Sequence, residues 1–214
     1  MLKKEIQQTC RTIAVIVSTS TVYGMMGFFY SFLGLLHYEK HIVSFEPFHY
    51  LTIQEIGGHF LFGFIPGLVS RNWKIASICG LMAITIDTDH LLYFFRLIEG
   101  RIDHSILFAA ISSIFMGLLL SQINIFQKIF TSKTLSNKNS IFVQIFIISM
   151  VAFFTHIAYD TVIDKEPWFP FFAPFSFERI LIPQNSGWIF EIISVLLIYL
   201  YFRRSDRKII ASGS

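Results

Sequence analysis

Six apolar stretches, at 13–36, 53–70, 75–98, 105–126, 140–163 and 186–202, constrain this chain more than any other feature. Each has about the 17 to 25 residues that an α-helix needs to cross a hydrocarbon core of about 30 Å. Inside such a core only helices and closed barrels satisfy their own backbone, so the expected fold is all-α: a polytopic transmembrane bundle of about six spans. Composition agrees, with 54% hydrophobic and 14% charged residues and a mean hydropathy of +0.60, against about 25% charged in an ordinary soluble domain. No linker, repeat or low-complexity tract divides the 214 residues, which predicts one domain over 1–210. The closing ASGS at 211–214 reads as a cloning scar. Span two is short and holds Pro66, which predicts a kink or a partly re-entrant segment.

Orientation follows from the basic residues, because cytoplasmic loops collect Lys and Arg. Twelve of the 17 fall on one side of the six spans, among them Lys3, Lys4, Arg71, Lys74, Arg203 and Arg204; the remaining five, including Lys40, Arg96, Arg101, Lys165 and Arg179, fall on the other. Both termini are therefore expected in the cytoplasm, with the first helix retained rather than removed as a signal peptide. A net charge of +3, spread in this way, predicts no nucleic-acid face. Cys10 and Cys79 are too far apart in character and sequence to suggest a disulfide or a thiolate metal site.

Ionisable residues interrupt the apolar stretches at few places. Asp87, Asp89 and His90 stand in LMAITIDTDHLLYFF, Glu55 and His59 in EIGGH, His104 at the start of span four, and His156 with Asp160 in HIAYD. Asp87 and His90 come roughly 12–16 Å below the outer end of span three, and His59 and His156 roughly 9–11 Å below the same surface, at a rise of about 1.5 Å per residue. Residues three or four apart share a helix face, so Glu55/His59, Asp87/His90 and His156/Asp160 each present two polar groups together. Asp89 points away from Asp87 on an ideal helix, as a supporting group or a ligand to another ion. His37, His41 and His49 read as solvated loop residues.

Carboxylates and imidazoles in lipid are tolerated if they face water, pair, neutralise or surround a cation. No buried Lys or Arg is expected to compensate them, which favours a divalent metal. Mixed oxygen and nitrogen donors without thiolate suit zinc first, then manganese or iron, with one or two ions. Glu191 on span six is a further buried carboxylate, a candidate base or support.

In order, these residues resemble the membrane-bound metal-dependent hydrolases of the YdjM-like type. That family's pattern is an early helix histidine, then D-x-D-H, then H-R-x-x-T-H-S, then H-x-x-x-D followed by a proline-containing segment. Here His59 in GGHFLFG, DTDH at 87–90, GRIDHS at 100–105, and HIAYD at 156–160 followed by PFS at 174–176 correspond, covering about 55–180. Ile86 replaces a usual proline, and GRIDHS lacks the first histidine and the threonine and is one residue shorter after Arg101, with Asp103 as the substitute for that histidine.

The resemblance implies an inner-membrane hydrolase, its site towards the extracytoplasmic side, using a metal-activated water. His59, Asp87, His90, His156 and Asp160 are then expected at the metal, with His104 as ligand or acid. Asp89, Asp103 and Glu191 are expected to move protons or orient histidines, and Arg101 to hold a phosphate or carboxylate. The loop EPWFPFFAPFSFERILIP, poorly hydrated and next to the expected site, points to a lipid or lipid-linked substrate, with its phosphoester as the expected bond. H-E-x-x-H, G-x-S-x-G and P-S-G-H are all absent, which disfavours zincin and serine-nucleophile chemistry. The alternatives are a lipid amide or ester hydrolase and a non-enzymatic metal-binding transporter or sensor.

Overall fold

The computed structural model describes residues 2–35, 52–88, 90, 102–123, 138–164 and 167–212, the side chains of 2–4, 32–35, 138 and 203–212 aside. Six α-helices carry it: α1 (Leu2–Leu35), α2 (Ile53–Leu68), α3 (Trp73–Thr85), α4 (Ile106–Ser121), α5 (Lys138–Ile163) and α6 (Gly187–Ser212). Local sequence explains where several begin. Thr52, Asn72 and Ser105 cap α2, α3 and α4, each side-chain oxygen accepting a hydrogen bond from a backbone N–H in the first turn. Pro66 lies in the last turn of α2, and a short turn through Arg71, whose φ is 58°, reverses the chain into α3.

α3 packs on α1, α2 and α5, and α5 packs on α2, α3, α4 and α6. Ile75, Ala76, Ile78, Cys79, Met82 and Ala83 of α3 are all buried, as are Ile145, Ile148, Val151, Ala152, Phe153 and Ile157 of α5. The α2–α3 seam is close because two glycines permit it: a Cβ on Gly63 would come within 2.6 Å of the Cys79 carbonyl oxygen, and one on Gly67 within 2.5 Å of Ala76 Cα. Small residues spaced four apart draw helix backbones together in this way.

Hydroxyl residues join the apolar core, and large apolar side chains lie on the outside. Thr19, Ser20, Ser112, Thr155 and Thr161 are buried and return their hydroxyls to carbonyls one turn back in their own helices. Meanwhile Met25, Phe29, Leu61, Ile65, Ile111, Phe115, Leu118, Ile189, Ile192 and Leu200 face outward. Two stretches, Glu5–Ser31 and Asn139–Ile163, are long and apolar enough to cross a membrane, while the apolar Ile106–Ser121 and Gly187–Phe202 are shorter. This suggests membrane association. α2 has 16 residues, a rise of about 24 Å, less than a hydrocarbon core of about 30 Å.

Against the expected spans, α1 starts earlier and α6 runs further, to Ser212, while α3 is shorter. Its α-helix gives way after Thr85 to a 3-10 turn over 86–88 that is held to α1; of the rest of the expected span, 89 and 91–98 lie outside the described residues. The aromatic loop forms a two-residue antiparallel pair, β1 (Trp168–Phe169) with β2 (Ile180–Leu181). It closes one end of the bundle: Ile106 N–H donates to the Phe171 carbonyl at 3.0 Å, and the Tyr30 hydroxyl to the Ala173 carbonyl at 3.2 Å.

Candidate metal centre

Four segments deliver the polar residues to one place. α2 presents His59. The 3-10 turn after α3 presents Asp87 and, beyond it, His90, and the Thr88 hydroxyl pins that turn by donating to the Gly24 carbonyl of α1 at 2.6 Å. The short 3-10 helix Ile102–His104 presents Asp103 and His104 immediately before the Ser105 cap of α4. On α5, His156 and Asp160 are one turn apart on a single face. His59, His90, His104, His156 and Asp160 are all buried, and the Asp87 side chain keeps 15% of its exposure.

The two carboxylates lie at the middle. Asp87 Oδ1 is 3.4 Å from His156 Nε2, 3.4 Å from His90 Nε2 and 3.9 Å from His104 Nε2. Asp160 Oδ2 is 3.4 Å from His104 Nε2 and 3.5 Å from His156 Nε2. Their other oxygens face His59, whose Nε2 is 3.2 Å from Asp87 Oδ2 and 3.3 Å from Asp160 Oδ1. The His59 and His156 rings stack, centroids 4.1 Å apart and planes 13° from parallel.

Hydrogen-bond partners fix the tautomers of two rings. His156 Nδ1 is 2.8 Å from the Ala83 carbonyl oxygen, which can only accept, so Nδ1 carries the hydrogen. His104 Nδ1 is 2.9 Å from Asp103 Oδ1 and likewise donates. In the neutral rings both Nε2 atoms are then left with lone pairs, and these atoms stand 2.9 Å apart. Two lone pairs at that separation repel unless a cation lies between them. Imidazoles that bind metals have this arrangement, the far nitrogen donating to a carbonyl or carboxylate. His59, Asp87 and His156, and also His104, His156 and Asp160, form groups that could hold a metal ion.

Asp89 and Arg101 lie outside the described residues, as do His37, His41 and His49. Glu191 does not join the cluster: its Oε2 is buried on α6 with no hydrogen-bond partner among the described residues. Asp103 touches the cluster through His104. Three contacts carry no sequence signal of their own: the Ala83 carbonyl on His156, the Tyr159 ring meeting His59 edge-on at 4.6 Å, and the Phe169 ring stacked on His104 at 5.8 Å. Only the aromatic character of the loop hinted at the last. No family model, no curated protein and no solved structure matches the chain.

Proposed function

We propose that this chain is a membrane-embedded, metal-dependent hydrolase that cleaves a lipid or lipid-linked substrate, its phosphoester before an amide or carboxylic ester. The observation that carries the reading is the pair of facing Nε2 atoms on His104 and His156, each ring oriented from behind, with two carboxylates at the same point. A proton shared by the two nitrogens would make an imidazolium balanced by the two carboxylates; the metal reading rests on all four donor atoms converging on one point. Those four atoms have five measured separations between 2.9 and 3.9 Å. Donors of a zinc ion held at about 2.0–2.1 Å would lie about 3.3–3.4 Å apart; three of the five separations, at 3.4, 3.4 and 3.5 Å, match, and those of 2.9 and 3.9 Å lie to either side. Zinc suits the nitrogen and oxygen set best, with manganese or iron as alternatives.

His59, Asp87, His104, His156 and Asp160 would hold a divalent ion there, which would supply acidity to a bound water and polarise an ester oxygen. The chain does the rest. Asp103 and the Ala83 carbonyl hold two imidazoles in the required tautomer, and buried apolar neighbours, Phe169 among them, exclude bulk water. Phe172 and Phe175, 58% and 86% exposed beside the site, suit an acyl-rich surrounding from which a lipid would enter. In this reading the six helices span the cell membrane with both termini cytoplasmic and the centre in the extracytoplasmic half. The order of His59, DTDH and HIAYD supports membership of the YdjM-like type.

Purified protein in liposomes, assayed for bound metal and for release of phosphorylated headgroup from phospholipid, tests this. Wild type is expected to hold metal and turn over, and Asp87→Ala to lose both. Metal retained with turnover unchanged in Asp87→Ala would remove that carboxylate from the centre, and metal-free wild type would end the proposal.

A further inference from the structure

We infer that the centre holds two divalent ions side by side, bridged by Asp87 and Asp160, an assignment that rests on the metal reading above and goes beyond it. Each carboxylate is divided. One oxygen of Asp87, Oδ1, faces His104 and His156 while the other, Oδ2, faces His59; Asp160 is divided in the same way, Oδ2 towards His104 and His156 and Oδ1 towards His59. A single ion between His104 and His156 uses only one oxygen of each. It leaves the buried His59 imidazole, 2% exposed and 3.2–3.3 Å from the other oxygen of each carboxylate, outside its donor set.

The stacked rings set the spacing. His59 and His156 lie nearly parallel with centroids 4.1 Å apart, and both direct Nε2 at the Asp87 carboxylate, one at each oxygen. Ions carried by two such rings would be separated by about the 3.5–4 Å found in two-metal hydrolytic sites.

The two positions differ in what they leave open. His104, His156, Asp87 Oδ1 and Asp160 Oδ2 supply four donors and close their position. His59, Asp87 Oδ2 and Asp160 Oδ1 supply three, which leaves room for water or a substrate oxygen. The three-donor position, at His59, is therefore the one with room to meet substrate.

The experiment is metal stoichiometry on the full chain in detergent, stripped with a chelator, loaded with Zn²⁺ and measured by mass spectrometry against protein concentration. Wild type is expected to bind two zinc ions, and His59→Phe, which keeps the stacked ring without a donor, only one. Mn²⁺ loading gives a second readout that needs no variant: an exchange-coupled paramagnetic spectrum in wild type. One zinc ion per wild-type chain, two in His59→Phe, or uncoupled manganese at saturation would overturn the pair while leaving a single-ion centre standing. No zinc in wild type would overturn the metal reading itself.

Discussion

Asp103 and His104 show how a residue outside the donor group can govern it. Asp103 Oδ1 accepts from His104 Nδ1 at 2.9 Å, and both residues are fully buried, so the ring has little freedom to flip or change tautomer. Asp103→Ala is expected to weaken zinc binding by about 10- to 100-fold, the usual loss when an orienting partner is removed. Competition against a chromophoric chelator measures it, and unchanged affinity would assign Asp103 a purely packing role. The donors His59, Asp87, His156 and Asp160 were legible beforehand because ionisable side chains in apolar stretches are costly and helical spacing puts them on one face. Their mutual distances were not, since these depend on pairings between residues as far apart as Ala83 and His156. Glu191 shows the limit of that cue: it shares the buried, apolar setting yet sits apart from the cluster.

Among the elements, the α2–α3 hairpin carries His59 and Asp87 and depends on backbone contact. Gly67 has no space for a methyl group beside Ala76, whereas nothing lies within 4 Å of a Cβ at Gly57 on the same helix. Gly67→Ala should therefore lower the melting temperature in detergent, by about 1–3 kcal/mol of overpacking. Gly57→Ala should hold or raise it, by up to about 1 kcal/mol of helix propensity. Equal effects would show that the seam is looser than described. Ser105→Ala, which removes the cap in front of α4, should cost about 1 kcal/mol by the same measurement. Helix positions were readable from apolar length. The end of α3 at Thr85 was not, because the Thr88 hydroxyl bond to the Gly24 carbonyl and the Asp87 contacts that shape the turn come from other helices.

For the molecule as a whole, the outward apolar faces and the two long apolar helices suggest a bundle associated with a membrane. The proposed topology places the exposed Cys10 inside the cell and the aromatic loop outside; the other cysteine, Cys79, is buried. In intact cells a membrane-impermeant maleimide should label Ser176→Cys and spare Cys10, which should react only after permeabilisation. Labelling of Cys10 first would invert the topology and move the centre to the cytoplasmic half. The central claim, that imidazoles and carboxylates from four segments meet at a metal, is tested most directly by X-ray absorption at the zinc edge of the loaded protein. Nitrogen and oxygen neighbours at about 2.0–2.1 Å with the multiple scattering of imidazole are predicted. A sulfur shell at about 2.3 Å, or no imidazole scattering, would contradict it.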